Sequence, residues 1–377
     1  MTREPPRILV VGGGPAGLAS ALAARQRGFE VDLLDRASPP IDKACGEGLM
    51  PAALGPLAQL GVDLSTVPAR EFDGVRYFDG ERVAEGRFSS GSGLGMRRLA
   101  LHDALLEAAE SAGVHCHWGV TIKDARAGPD GWILESSSGR WQADWIVAAD
   151  GLHSRLRRWA GLAGREARRK RFGVRRHFVM EPWSRFVEVY WADGCEAYVT
   201  PVADDLVGVA ILWSGHKAGF DDLIDRFPLL ETRIALAETA SKDRGAGPFS
   251  QSVRGAVRGN LVLVGDAGGY VDALTGEGLA IAFREALALS EALAAGDLRL
   301  YEASRRHIVR APELLTKFTL LLSRFPRLRP RVIRSLAQDG ALFSKLLAVQ
   351  NHELSLARDG AAALLKLVGR SLLSGRG

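Results

Sequence analysis

Apolar positions follow two rhythms along this chain, and the switches between them mark its elements. Residues 8–11 form an unbroken apolar run, ended by Gly12-Gly13-Gly14. Over 15–27 alanine and leucine recur as in a buried helix, with Pro15 in the first turn and Gly28 as the stop. Residues 29–35 read as a second strand, which closes a β-α-β half. A helix or turn is expected around 49–60, short strands near 75–78 and 83–88, and an Ala/Leu helix over 99–112 stopped by Gly113. Segments 114–122, 131–136 and 140–148 predict a β-meander with the turns GPDG and SSSG, followed by a helix over 154–160.

From about 171 to 213 the rhythm changes to strands rich in Val, Phe, Tyr and Trp, the natural place for a second sheet. A buried strand returns at 260–265 and a long helix at 278–295. The remainder is helical, interrupted at Phe325-Pro326 and Arg329-Pro330. There Leu314, Leu315, Phe318, Leu321, Leu322 and Phe325 recur at helical spacing. The pattern predicts an α/β (α+β) fold. A discontinuous Rossmann-type dinucleotide domain takes 1–70, 96–165 and 255–300, and an inserted antiparallel-sheet substrate domain takes 71–95 and 166–254. A C-terminal helical region, 301–377, is expected to pack over both.

Composition narrows the function. At 377 residues, 47% apolar and 25% charged, the chain can build a core that encloses a cofactor. Cys45, Cys116 and Cys195 form no CxxC pair, which argues against a disulfide framework or a zinc site and for a reduced cytoplasm. The start MTREPP carries no secretory pattern, and no uncharged apolar run is long enough to span a bilayer. Residues 301–377 hold 14 Lys/Arg against 5 Asp/Glu, and the rest of the chain 35 against 39. The basic residues lack interleaved aromatics, so nucleic acid is not implied. A basic, leucine-rich tail is compatible with weak peripheral contact to an anionic membrane, or with a solvated helical face.

The chemistry is concentrated first in VVGGGPAGLASALAARQRGFEVDLLDR. Gly12, Gly14 and Gly17 form GxGxxG between a strand and a helix, and Asp35 ends the next strand. Gly12 permits the tight turn, Gly14 lets backbone approach a pyrophosphate, and Gly17 lets the helix pack closely on the sheet. The helix N-terminus offers free N–H groups to phosphate, and Asp35 can accept from a ribose diol.

Four further segments separate FAD from NAD. NLVLVGDAGGYVDALTGEGLAIAFREA resembles the C-terminal flavin motif of the para-hydroxybenzoate hydroxylase superfamily, which includes the geranylgeranyl reductases. The resemblance implies that Gly265 and Asp266 contact a ribityl chain. It places Gly276, Gly278, Leu279 and Ala280 at a helix N-terminus facing the flavin pyrimidine, where that dipole favours negative charge. VAADGLHSRLRRWAG resembles the superfamily's middle Asp-Gly motif, at Asp150 and Gly151. MRRLALHDALLEAA matches its Arg-x-x-Leu helix, with Arg98 on the cofactor and Arg97 as the alternative. KACGEGLMP resembles the segment that puts Cys45 and Gly46 beside the isoalloxazine. Pro15, Ala16, Arg36 and Val120 complete the implied cofactor contacts. On chemistry alone Asp150 can instead shape the turn before helix 154–160, and Cys45 can be an inert thiol with Lys43 as its one close cation. The eight histidines, His153 among them, lack metal-ligand spacing, and no metal site is implied.

The resemblance implies an FAD-dependent oxidoreductase with NAD(P)H as transient reductant. Its C-terminal motif leans toward reductases and halogenases, since Ala267-Gly268-Gly269 stands where hydroxylases carry Ala-Ala-His, and Ala273 where proline is usual. The substrate region leans away from reductases: their Tyr-x-Trp-x-Phe-Pro motif is replaced by Glu196-Ala-Tyr198-Val-Thr200-Pro201. The balance points to a monooxygenase acting on an apolar aromatic or polyketide-like molecule of secondary metabolism. The alternative is a geranylgeranyl-reductase-like enzyme that reduces C=C bonds of a lipid or isoprenoid. A non-enzymatic flavin or lipid carrier would make little use of four segments converging on a redox cofactor. Tyr190, Trp191, Tyr198 and Trp213 are candidate pocket walls, with ordinary core packing as the alternative. No catalytic base is legible.

Overall fold

The computed structural model describes residues 6–129, 131–167 and 169–373. Met1–Pro5, and Asp130 of the GPDG turn, lie outside the described residues. In chain order the helices are α1 (Pro15–Gln26), α2 (Pro51–Gln59), α3 (Arg98–Ser111), α4 (Arg155–Trp159), α5 (Pro228–Ile234), α6 (Gly278–Ala294), α7 (Leu298–Arg324), α8 (Arg329–Gln338), α9 (Gly340–Gln350) and α10 (Ala361–Leu373).

The first strand, Arg7–Val11, lies inside a six-stranded sheet between Glu30–Asp35 and Trp145–Ala148. His115–Trp118 lies beyond the former and Leu261–Leu263 beyond the latter, all paired in parallel; Val257–Arg258 adds an antiparallel edge. Such a strand is buried on both faces, which explains its unbroken apolar run. Ile8 and Val10 pack with Leu18 of α1, Leu105 of α3 and Phe283 of α6. Leu9 and Val11 pack on the opposite side with Ile122, Trp132 and Leu134.

The meander is shorter than its sequence pattern. It comprises Ile122–Gly128, Gly131–Ser136 and Gly139–Gln142, while His115–Trp118 and Trp145–Ala148 belong to the parallel sheet. Two breaks separate them. Gly119 turns the chain at φ +76°, and the Asp144 carboxylate takes the Arg7 N–H at 2.8 Å, tying the chain into the parallel sheet.

The second sheet runs Glu238–Thr239, Arg171–Val179, Leu206–Ser214, Cys195–Ala203, Val187–Ala192, Gly74–Asp79, Arg82–Arg87. It is antiparallel except for the parallel pairing of Val187–Ala192 with Gly74–Asp79. Its outer face is covered by Phe220, Phe227 and Leu230. Its inner face meets the C-terminal helices through Val189, Leu212, Leu315, Ile333, Phe343 and Leu347. Of the two expected interruptions, residues 325–328 do break the helices, but Pro330 sits in the first turn of α8. Proline suits that turn because the missing N–H would have no partner there. The result is the α/β (α+β) class the pattern predicts: a Rossmann-type domain, an inserted, mainly antiparallel sheet, and C-terminal helices.

Candidate functional site

The glycine turn is fixed from three sides. Gly12 has φ +116°, and a Cβ there would overlap Ala149 O. A Cβ on Gly17 would overlap Gly12 O, so α1 lies as close to the sheet as backbone allows. Asp35 accepts the Gly13 N–H at 2.6 Å and the Ala37 N–H at 2.8 Å. Buried His102 of α3 donates from Nε2 to Gly13 O at 2.9 Å. A carbonyl only accepts, so Nε2 carries the proton and Nδ1 is bare; burial pushes the pKa of His102 down. α1 starts at Gly14 without a side-chain cap, which leaves its first amides available to an anion. Pro15 and Ala16 form its first turn.

Over this turn lies charge. A Cβ on Gly14 would meet only the Arg98 guanidinium, 3.9 Å away. Arg98 is buried with Nε unpartnered; Arg97 Nε also lacks a hydrogen-bond partner but lies 3.7 Å from the Glu47 carboxylate. Burial pushes the pKa of Lys43 down, with Asp35 and Asp266 opposing and Arg98 and Arg36 adding to the shift. The Asp266 carboxyl is pushed up by burial, opposed by Arg98, Lys43 and Arg157. Gly265 abuts Ala16. Gly276 and Gly278 flank the first turn of α6, Tyr270 packs against Gly278, and Leu279 and Ala280 join the core behind it. Val120 lies next to Asp35 but spends its N–H on Asp35 O, at 2.9 Å.

Two chemical alternatives raised by the sequence are visible. Asp150 Oδ2 accepts the Arg155 and Leu156 N–H groups of α4 at 2.8 and 3.2 Å, so it does brace that helix. Its Oδ1 is buried and free for another donor, and Gly151, at φ +79°, completes the turn. The Cys45 thiol is pushed up by burial, which fits an inert thiol, while Gly46 beside it borders open space. His153 donates to Gly247 O at 3.1 Å.

The inner sheet face corrects the aromatic candidates. Side chains alternate along a strand, so Tyr190 and Trp191 cannot share a face. Tyr190 stacks on Phe78 at 4.6 Å and bonds Glu188, and Trp213 bonds His216 O at 2.7 Å; both belong to the outer core. They are therefore not walls of an inner pocket. Trp191 and Tyr198 face inward, Tyr198 donating to Leu274 O at 2.6 Å.

Glu47 escaped the sequence reading. It is buried with φ +59°, a strained conformation for a non-glycine. Its Oε1 accepts the Arg98 N–H at 2.8 Å and its Oε2 bonds His177 Nε2. His177 Nδ1 meets Ser241 Oγ at 2.7 Å, and Arg175 lies 3.9 Å from Glu47. One carboxylate thus joins the Cys45 segment, the Arg98 helix and the second sheet. An acid set between Gly46 and Gly48 was the available signal. Tyr270, which feels Asp266, Asp272 and Cys45, was missed as well, although it lies within the C-terminal flavin motif.

Open space over Gly14 and Gly46, with unpartnered polar atoms on Arg98 and Asp150, fits a dinucleotide reaching from Asp35 to the α6 N-terminus. Residues 6–202 match the protein-family model described as FAD binding domain. The chain is 30% identical over 318 residues to the chloroplastic geranylgeranyl diphosphate reductase of Oryza sativa subsp. japonica. That match covers 77% of this chain and 66%, just under two thirds, of the rice protein. It is 27% identical over 351 residues to the menaquinone reductase of Mycobacterium tuberculosis, covering 86% and 85% of the two chains. A 27% match over 316 residues, covering 76% and 77%, is to the aurachin C monooxygenase/isomerase of Stigmatella aurantiaca. In fold it resembles a flavoprotein/dehydrogenase from Cytophaga hutchinsonii, with TM-score 0.81 over 96% of this chain and 99% of that one at 17% identity.

Proposed function

Because the chain belongs to the FAD binding domain family and is an FAD-dependent oxidoreductase, we propose that it reduces carbon–carbon double bonds of an apolar isoprenoid lipid or prenylated quinone, with NAD(P)H as transient reductant. Bound FAD would supply hydride chemistry in two-electron steps. Gly12, Gly14, Gly17 and the first amides of α1, with Arg98, hold the pyrophosphate, and Asp35, beside Arg36 and Val120, takes the ribose. Asp266 and Gly265 hold the ribityl chain. Cys45, Gly46, Asp150 and Gly151 would border the cofactor, and the α6 N-terminus at Gly276 and Gly278 would offer its positive end to the pyrimidine.

The observation that carries this reading is the apolar part of the inner face, where it packs against the C-terminal helices. Met50, Trp191, Leu212, Phe249 and Leu274 meet the C-terminal helices there. A lining of this kind, opened between sheet and helices, would suit a hydrocarbon chain better than a compact polar substrate. The rice and mycobacterial relatives are named for reduction of geranylgeranyl diphosphate and menaquinone. A monooxygenase is the second reading, favoured by the Stigmatella match and by the altered Tyr-x-Trp-x-Phe-Pro segment.

The protein also fits a cytoplasmic enzyme working at a membrane surface. Leu314, Leu321 and Phe325 are exposed along α7 and its end, with exposed Arg324, Arg327 and Arg331 nearby. Among the described residues no helix is long and apolar enough to cross a membrane.

The test is anaerobic. NAD(P)H-reduced protein mixed with geranylgeranyl diphosphate or menaquinone should reoxidise its flavin and yield a product heavier by two hydrogens. Turnover that requires oxygen and adds an oxygen atom to the product would replace the reductase with the monooxygenase.

A further inference from the structure

Gly13 is the one glycine of Gly12-Gly13-Gly14 that the GxGxxG spacing leaves free to vary. Its φ is not positive, so the turn itself does not call for glycine there. A Cβ on Gly13 would instead lie 2.5 and 2.9 Å from Cζ3 and Cη2 of Trp118, closer than unbonded carbons approach, and 3.3 Å from the Asp35 Cβ. The six-membered ring of Trp118 thus fills the space that a side chain at position 13 would take. Its backbone is held as firmly. Trp118 ends its strand in parallel register with Asp35. Two residues on, Val120 gives its N–H to Asp35 O at 2.9 Å. Residues in register project to the same face of a sheet. The indole and the Asp35 carboxylate therefore stand side by side at the carboxyl ends of adjacent strands.

Core packing uses only part of this ring. Trp118 packs against the core that includes α1 and α3, yet it stays half-buried. The indole N–H groups of Trp132, Trp183 and Trp213 each reach an acceptor, whereas that of Trp118 reaches none among the described residues. Gly119 beside it, at φ +76°, borders open space. The order of the sheet gives the ring a use. Outward from the first strand, Arg7–Val11, come Glu30–Asp35 and then His115–Trp118. A dinucleotide lies across the carboxyl ends of such strands, with its pyrophosphate on the helix after the first and its ribose on the acid that ends the second. The base lies on the far side of the ribose from the phosphates. Continued along the same order, it arrives at Trp118.

We propose that the Trp118 indole is the face on which the adenine ring of FAD rests, and that Gly13 is glycine to admit that indole. This rests on the FAD assignment and is independent of the choice between reductase and monooxygenase. Adenine offers a flat π-face and tryptophan the largest one among side chains, so the two gain from offset stacking. The contact serves the adenosine half of the cofactor alone. It gives FAD an affinity that FMN, which has no adenine, cannot gain. NAD(P)H carries the same adenosine diphosphate, so the test must also separate the two dinucleotides.

Equilibrium dialysis of the holoenzyme against graded FAD, alone or with ADP or FMN as competitor, tests the contact. Trp118→Ala should weaken FAD by about tenfold to a hundredfold, the usual worth of one base–aromatic stack, and ADP by the same factor. FMN affinity should not move. Trp118→Phe, which keeps a flat face, should recover most of the loss. Unchanged FAD and ADP affinities in Trp118→Ala overturn the proposal. So does an FMN affinity that falls with them, because a generally loosened cradle would weaken both halves of the cofactor. ADP that binds without displacing FAD belongs to a nicotinamide site and overturns it too. The fit between the two residues is read in the urea midpoint. Gly13→Ala should lower it, and adding Trp118→Ala to the same chain should recover part of that loss; two losses that merely add refute the fit. Wild-type protein that holds no FAD refutes the cofactor assignment and this proposal with it. Protein whose FAD affinity ignores the indole refutes the proposal alone.

Discussion

Removing the Glu47 carboxylate leaves the Arg98 N–H, His177 and Arg175 without their common partner in a site closed to water. Glu47→Ala should therefore destabilise the fold by about 3–5 kcal/mol, the range for breaking a buried ion pair, read as a shift in urea midpoint. Asp266→Asn should act differently. It keeps an acceptor but loses the charge, so FAD affinity should fall by roughly tenfold to a hundredfold, matching about 1.5–3 kcal/mol for a charge-assisted bond, with the urea midpoint of apo-protein little changed. Titration of apo-protein with FAD at unchanged affinity would remove Asp266 from the cradle. Glu277 and Glu285 are both pushed up to about 7 from 4.5 by burial. A raised carboxyl binds its proton more tightly in the folded state, so its stabilising effect is complete below about pH 4.5 and is lost as the pH rises through about 7. Glu277→Gln keeps the acceptor for Gln350 and cannot ionise. It should remove up to about 3 kcal/mol of the stability decline between those limits, seen by comparing urea midpoints at each end.

Among the elements, the C-terminal helices do more than cover the sheet. Gln350, at the end of α9, donates from Nε2 to Thr275 O and to Glu277 Oε1, both at 3.0 Å, and so grips the loop that leads into α6. Val332, Ile333, Leu336, Phe343 and Leu347 bury themselves against the inner face. A chain ended after about residue 310 should lose solubility or turnover, and a truncated protein that binds FAD and turns over normally would show those helices to be dispensable. The elements were legible where one period ran long: α1, α3, α6 and the strands of 171–213 follow directly from their patterns. Legibility failed where pairing decides. Nothing local tells that His115–Trp118 joins a parallel sheet while Ile122–Gly128 turns into a meander, because the partner strands are distant in sequence. Tyr190 and Trp191 look alike as aromatics, and only the register settles which one faces inward.

Taken whole, the molecule should hold FAD without a covalent bond. Acid precipitation should release the flavin into the supernatant, and flavin kept on the pellet would overturn that. Liposomes test the exposed stripe of α7: anionic vesicles should co-sediment the protein at low salt, less so at high salt, and Phe325→Glu should weaken binding. The cradle's glycines and acids could be read in sequence because each belongs to a local motif. Glu47 could not, since its partners are gathered by the fold from α3 and the second sheet. The placement of Arg7–Val11 also has a meaning in time. This early strand waits between Glu30–Asp35 and Trp145–Ala148, with Leu261–Leu263 further out, so the parallel sheet closes only after long stretches of chain have been threaded through. Non-local pairing of that kind folds slowly. A cradle built from Gly14, Arg98, Asp150 and Asp266 cannot exist before those strands meet, and the cofactor arrives too late to guide them. FAD added to refolding protein should therefore leave the folding rate unchanged and act almost entirely by slowing unfolding.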